Sequence, residues 1–99
     1  MSPEPNEAEG EPLWRELLGS NVVIDTDSTY IYLGMLDAIG ERFVSLTDVD
    51  VHDMHDSHVT KEIYTLEALK YGIRANRKRV HVAIARVVSV STLDDVVRY

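Results

Sequence analysis

The most strand-like stretch of this chain lies between Tyr30 and Val51. β-Branched and aromatic residues are frequent in Tyr30 to Ile39 and again in Arg42 to Val51, which predicts two strands. Between them, Gly40-Glu41 has the glycine-first pattern of a two-residue type II′ turn. Gly34, inside the first strand, predicts a sharp bend or a close approach of two backbones. The pattern therefore predicts a long, bent β-hairpin.

A short helix is predicted ahead of this hairpin. Pro12 suits a first helical turn, and Gly19 can supply a left-handed stop. The residues between them carry one apolar stripe, formed by Leu13, Trp14, Leu17 and Leu18. Because about two turns of helix are unstable alone, the stripe is expected to cover the open end of an apolar structure.

Alternation with a period of two also marks Asn21 to Thr26. Val22 and Ile24 fall on one face of an extended chain, and Val23 and Asp25 fall on the other. The segment is therefore predicted to be a strand with one face in the core and one in water.

Two pairs of aspartates near these strands have more than one interpretation. Asp25 and Asp27 could act as a catalytic dyad, but together with Ser28 they are typical turn residues, and turn chemistry is favoured. Asp48 and Asp50 alternate along the second hairpin strand, so we expect them to solvate an exposed face rather than to share a proton.

The second half of the chain begins with a predicted helix. Thr60 can cap the start of this helix, and Gly72 can end it. Apolar residues recur there at three- and four-residue spacing: Ile63, Leu66, Leu69 and Ile73. The letters IYTL within it would also suit a strand. Residues 74–79 follow as a basic turn, and Val80 to Ile84 and Val87 to Ser91 then alternate as two short strands broken by a tight corner. Asp94-Asp95 can start a final helical turn.

Composition limits the class of protein. The chain has 99 residues, no cysteine, 44% apolar and 27% charged residues, which is typical of one soluble domain without disulfides or thiolate metal sites. No run approaches the ~18 apolar residues of a membrane span, and no signal peptide is evident, so we expect a cytoplasmic protein. We also expect no cofactor. Residues 1–11 are almost free of apolar side chains and are predicted to be a disordered acidic tail, with one domain over residues 12–99.

The formal net charge of −7 is unevenly distributed. Four glutamates and no basic residue lie within the first twelve positions, whereas Lys70 to Arg79 holds five of the ten basic residues and no acid. A local reversal of sign of this kind can attract an anion.

Together these elements resemble the Sm and Sm-like proteins, a family of small, strongly bent barrels related in shape to SH3 barrels. Gly34-Met35-Leu36 matches the glycine-x-hydrophobic step of the family's first motif, and Phe43 to Leu46 suits its third strand. The resemblance covers roughly Pro12 to Leu93. It implies a mainly β fold: a five-stranded antiparallel SH3-like or Sm-like barrel with a short N-terminal helix and a helical insert, residues 53–79, between strands three and four.

The resemblance also implies assembly. Family members form six- or seven-membered rings by pairing the fourth strand of one subunit with the fifth strand of the next. An open five-stranded barrel leaves two edges, and head-to-tail pairing removes both, so we expect a homo-oligomer of five to seven subunits. The predicted interface is formed by Val80, Val82, Ile84, Val87, Val88 and Val90.

Many members of the family bind uridine-rich RNA, but the residues that contact bases are not retained here. The family's aspartate and asparagine are absent from Gly40 to Phe43, and Ile84-Ala85-Arg86 stands in place of Ile-Arg-Gly. RNA or another polyanion could still be bound through phosphate contacts, which need only charge and reach. The candidate residues are Arg42, Arg74, Arg77, Lys78, Arg79 and Arg86. The alternatives are that these side chains are simply solvated, and that the protein is a structural or protein-interaction module that binds no RNA.

Metal binding and catalysis are two further functions that the residues could support. Histidine and carboxylate in HDMHDSH suit zinc or nickel, but only an irregular loop could bring His52, His55 and His58 together, so an exposed loop is favoured. The sequence contains no Ser-x-Gly elbow, phosphate-binding glycine loop or metalloprotease motif, and the interior of so small a barrel is filled by side chains. We therefore expect no enzymatic activity.

Overall fold

The computed structural model describes residues 12–55 and 59–97 and contains one antiparallel five-stranded sheet. The strand order is β4-β3-β2-β1-β5, so β4 and β5 are its edges. The elements in chain order are α1 (residues 12–16), β1 (Asn21–Thr26), β2 (Tyr30–Ile39), β3 (Phe43–Asp53), α2 (Lys61–Tyr71), β4 (Arg77–Ala83), the 3₁₀ turn η1 (Ile84–Arg86), β5 (Val87–Thr92) and the 3₁₀ turn η2 (Leu93–Asp95). This arrangement confirms the predicted fold class. The predicted disordered tail, residues 1–11, lies outside the described residues.

The turn η1 shows how strongly the sheet is bent. At its start, the Ile84 amide donates to the Arg42 carbonyl, 2.9 Å away, beyond the end of β2. At its end, the Arg86 carbonyl accepts from the Asp27 amide at 3.1 Å, ahead of the start of β2. A straight strand of the length of β2 would hold these two sites roughly 33 Å apart, whereas three residues of 3₁₀ turn extend only about 6 Å. The sheet must therefore curl into an open barrel that η1 spans.

A bulge opposite Gly34 provides part of this bend. Leu33 pairs with Asp50 and Met35 with Thr47, so two residue steps on β2 correspond to three on β3. The extra residue is accommodated where Asp48 adopts a positive φ of 50°. A Cβ atom on Gly34 would lie 3.1 Å from the Thr47 carbonyl oxygen, which confirms the predicted close approach of two backbones.

The barrel core is formed from four strands and helix α1. All of its strand members are 0–4% exposed, and η1 and β5 cover them from the open side with Ile84, Val87 and Val90. The buried members are Trp14, Val22, Ile24, Leu36, Val44, Leu46, Val49 and Val82. The interior is therefore filled by side chains, as expected for a barrel of this size.

The hairpin turn differs from its prediction by one residue. The Gly40 amide donates to the Phe43 carbonyl at 2.8 Å, which leaves Glu41 and Arg42, not Gly40 and Glu41, between the closing residues. Gly40 does not have a positive φ, so the predicted type II′ turn is wrong. Glycine is favoured here for a different reason, because a Cβ atom would lie 3.0 Å from the Phe43 carbonyl oxygen.

Helix α1 is confirmed, but only part of its predicted stripe is buried. Trp14 belongs to the core and Leu17 packs against it, whereas Leu13 and Leu18 are 63% and 44% exposed. Gly19 has the predicted positive φ, 81°, in the turn that follows the helix. Its amide donates to the Leu36 carbonyl at 2.8 Å, which attaches this turn to β2 before the chain enters β1.

Helix α2 has the predicted caps, and its predicted apolar stripe is partly buried. The Thr60 hydroxyl accepts from the Ile63 amide at 3.2 Å, and Gly72, with φ 91°, ends the helix. Leu69 on the helix and Ile73 just after it pack against buried residues of the sheet as predicted, whereas Ile63 is 48% exposed, because the helix turns Thr65 and Ala68 inward as well. Within the described ranges, neither helix is long and apolar enough to cross a membrane.

The inward face of α2 covers the outer face of the sheet. Val23, Ile31 and Leu33 form a second buried cluster there with Ala68 and Leu93. The prediction that β1 has one face in water is therefore wrong for Val23, which is only 8% exposed. The Lys61 ammonium fastens the helix to the end of β1, since it lies 2.5 Å from the Asp25 carboxylate and 2.8 Å from the Ser28 carbonyl.

Candidate nucleic-acid interface

The end of the β2–β3 hairpin carries the best-formed candidate surface. Phe43 is 49% exposed, although it begins a strand, and Arg42 precedes it in the exposed turn. The hydrogen bond from the Ile84 amide to the Arg42 carbonyl ties this turn to η1. The hairpin turn and the corner between the last two strands, which are 42 residues apart in sequence, therefore form one surface.

The six basic residues proposed from the sequence do not form one patch. Arg42 lies in the hairpin turn, Arg86 in η1, and Arg74 in the segment that follows α2. The other three, Arg77, Lys78 and Arg79, were predicted in a basic turn. That prediction is wrong, because β4 begins at Arg77 and pairs it with Val49 on β3. Because it pairs with β3, β4 begins three residues before the predicted start at Val80. The polar composition of residues 77–79 does not indicate a strand.

Two of the six basic residues already have carboxylate partners. Arg79 Nη1 lies 2.9 Å from Asp37 Oδ2, and Arg86 Nε lies 2.9 Å from Asp27 Oδ1. In the described part of the chain, the other four, namely Arg42, Arg74, Arg77 and Lys78, form no ion pair. These four retain the positive charge that a phosphate would meet.

The same contacts separate the two aspartates considered as a dyad. Asp25 is bound by Lys61, and Asp27 is bound by Arg86. The turn itself is held by hydroxyl groups, since the Thr26 and Ser28 oxygens lie 2.7 Å apart and the Tyr30 amide donates to Ser28 Oγ at 3.1 Å. The pair therefore serves the turn and its attachments.

The predicted interface residues lie on the two edge strands and on η1 between them. Val82 is 4% exposed and belongs to the core, and Val80, Ile84, Val87 and Val90 pack against it. Val88 alone of the six is strongly exposed, at 66%. Pairing of the edges would thus depend on backbone groups and Val88, while the other five side chains stabilise the subunit.

The histidine-rich segment begins at the end of β3. His52 stacks on Tyr64 with ring centroids 4.3 Å apart, and Asp53 accepts from the Thr29 hydroxyl at 2.6 Å and the His55 amide at 2.9 Å. These hydrogen bonds, the Thr29 bond above all, lower the pKa of Asp53. His58 lies outside the described residues. Among those described, no three potential metal ligands lie close enough together to hold an ion.

A buried polar cluster that the sequence pattern does not predict lies between β3 and α2. Asp50 was predicted to be solvated, but it is 5% exposed and accepts a short hydrogen bond from the Tyr64 hydroxyl. The bulge at Asp48 inserts one residue and so turns Asp50 away from the barrel core to the outer face of the sheet, where α2 covers it. Burial and the Asp50 carboxyl raise the pKa of Tyr64. No local sequence signal marks this bulge.

The arrangement can be compared with known proteins. No family model matches the chain, and no curated protein sequence matches it. Among solved structures, it is similar to the Sm protein of Pyrococcus abyssii in complex with a uridine heptamer, with a TM-score of 0.56 and 12% identity over 83% of this chain and 94% of that one. The fold is Sm-like. At this identity the similarity establishes the Sm-like fold alone.

Proposed function

We propose that this protein is a non-enzymatic, oligomeric Sm-like module that binds single-stranded RNA. The observation that carries the proposal is the exposed Phe43 next to Arg42, on the surface that the hairpin turn shares with η1. The Sm-like fold supports it, since the similar archaeal protein was solved with a uridine heptamer. The residues by which the family is known to contact bases are absent, so other side chains must supply the contacts.

The chemistry of the hairpin suits a single strand. A half-exposed aromatic ring can stack on an unpaired base, and an adjacent guanidinium can contact the phosphate of the same nucleotide. Arg77 and Lys78 lie at the far end of the edge strand β4, where Arg77 pairs with Val49, so they would contact phosphates further along the RNA. Arg79 and Arg86 contribute less, because Asp37 and Asp27 already neutralise them.

Replacing Phe43 by alanine is expected to weaken binding of a uridine-rich oligonucleotide by about 1–3 kcal/mol, which is the typical contribution of one stacked base. Arg42→Gln is expected to weaken it and to reduce its dependence on salt, because one phosphate contact is lost. Filter binding at low and high salt measures both effects. Ile63→Ala is the matched control, since Ile63 on α2 has nearly the same exposure, 48% against 49%. Absence of retention at low salt would rule out RNA binding.

Assembly is proposed through the edges β4 and β5 and is tested separately. Light scattering of the purified protein is expected to give a mass of five to seven subunits. Val88→Lys, which places a charge on the β5 edge, is expected to reduce this mass to that of a monomer. Val97→Lys is the control, because Val97 is 62% exposed but lies outside both edge strands. A monomeric parent protein would refute ring formation.

The second candidate is a protein-interaction module without RNA binding. The ion pairs of Arg79 and Arg86 favour it, as does Glu41 beside Arg42 in the turn, because all three reduce the positive potential of the surface. This alternative predicts that the protein assembles but retains no RNA at any salt concentration. The two experiments above therefore separate the candidates.

A further inference from the structure

A cleft of about 380 Å³ lies between β3 and α2, and the buried pair Asp50 and Tyr64 forms part of its lining. The residues that matter for its chemistry are Asp50 and His52 from β3, Tyr64, Glu67 and Tyr71 from α2, and Arg74 just beyond it. Because α2 belongs to the insert between β3 and β4, this cleft is separate from the hairpin surface. Phe43 lies seven residues before Asp50 on β3, on the other side of the bulge at Asp48, and does not line the cleft.

Asp50 provides a buried acceptor in this cleft. One carboxyl oxygen accepts from the Tyr64 hydroxyl, and the other lies 3.4 Å from Asn76 Nδ2, a long hydrogen bond. Asn76 is itself held by β3, since its side chain bonds both the amide and the carbonyl of Val51. A carboxylate has about four acceptor positions, so Asp50 can still accept from a ligand.

Aromatic rings form one side of the cleft. His52 and Tyr64 are already stacked, with an interplanar angle of 24°. A third planar ring can extend such a stack, as unpaired bases do on aromatic side chains. Tyr71, at 68% exposure, offers a further ring at the rim.

The charges around the cleft favour a ligand with two different ends. Asp50 and Glu67 supply acceptors, and the Arg74 guanidinium, which forms no ion pair within the described residues, supplies a donor for an anion. A simple organic cation would fit less well. It would approach Arg74, and the Lys70 ammonium already lies 5.2 Å from the centre of the Tyr71 ring.

We propose that this cleft binds a nucleotide whose base carries an exocyclic amino group, with the base stacked on the His52–Tyr64 pair, its amino group donating to Asp50, and its phosphate contacting Arg74. Adenine, cytosine and guanine have such a group, and uracil does not. The site does not depend on the proposed RNA surface at the hairpin. Its ligand can be a free mononucleotide or one residue of a single strand.

Isothermal titration of the full chain with AMP, CMP, GMP and UMP tests the proposal. UMP is expected to bind at least about tenfold more weakly than the three amino-bearing nucleotides, because its only base donor, the N3–H, is flanked by two carbonyl oxygens that would meet the second oxygen of the Asp50 carboxylate. Adding adenosine and an oligoadenylate identifies the source of the ligand. Tighter binding of the oligomer than of AMP indicates a strand, and equal or weaker binding indicates the free nucleotide.

Variants connect the binding to the cleft. Arg74→Gln, at an exposed position, is expected to weaken AMP about tenfold and to leave adenosine unchanged. Lys78→Gln on β4 removes an equal charge outside the cleft and is expected to change neither. Phe43→Ala, which tests the hairpin surface, should also leave AMP binding intact. Absence of binding by every nucleotide at millimolar concentration, equal affinity for UMP, or equal effects of Arg74→Gln and Lys78→Gln would overturn the proposal.

Discussion

Gly34→Val is expected to destabilise the protein by about 3 kcal/mol, at the upper end of the usual cost of overpacking a core. A Cβ atom at this position would lie 3.1 Å from the Thr47 carbonyl oxygen and 3.2 Å from both Cα and Cγ2 of Val49. Two of these atoms belong to the backbone of β3 and cannot rotate away. The two further methyl groups of valine would therefore force β2 away from the bulge that bends the sheet.

Urea unfolding followed by the fluorescence of Trp14, the only tryptophan, measures this loss. Ala38→Val is the matched control, because Ala38 lies on the same strand but is exposed. It is expected to change the free energy of unfolding by less than about 0.5 kcal/mol. If the two valine variants were equally stable, the close packing of Gly34 against β3 would be contradicted.

The parts of the fold that were predicted correctly depend on local chemistry. The predicted bounds of the first hairpin strand, Tyr30–Ile39, are the observed ones, because turn residues lie on both sides of its β-branched and aromatic residues. The caps of α2 were also predicted correctly, since a threonine oxygen and a glycine with positive φ act within one helical turn. These signals are contained in a few neighbouring residues.

The errors arise where contacts distant in sequence decide the structure. A bulge in β3 turns Asp50 out of the barrel core and under α2, and Gly34, which faces that bulge, lies on another strand. The buried face of α2 follows the sheet beneath it, so Ile63 is exposed while Thr65 is not. Pairing with β3 likewise makes Arg77 part of a strand. Hydrophobic periodicity alone contains none of this information.

The candidate sites were harder to predict than the fold, because each is assembled from separate segments. Arg42 and Ile84 meet through a backbone hydrogen bond across the barrel, and Asp50 and Tyr64 meet through side chains of a strand and a helix. Counting basic residues placed Arg74 and Arg79 in one patch. The structure instead places Arg74 at the cleft and pairs Arg79 with Asp37.

Trp14→Ala is expected to lower the free energy of unfolding by about 3–5 kcal/mol, which is a large part of the 5–15 kcal/mol typical of a domain. Trp14 is 9% exposed and belongs to the barrel core, although it lies on a helix too short to be stable alone. Its removal leaves a cavity and takes away the buried side chain that anchors α1, which leaves Leu17, in the turn after the helix, to pack against the core.

Thermal unfolding followed by circular dichroism measures this effect without relying on the fluorophore that the substitution removes. Leu13→Ala provides the control, since Leu13 is the neighbouring residue of the same helix and is 63% exposed. Its substitution is expected to cost less than about 0.5 kcal/mol. The difference between the two variants therefore isolates the contribution of one buried side chain at the open end of the barrel. A loss at Trp14 no greater than that at Leu13 would mean that α1 lies beside the barrel in solution without contributing to its core.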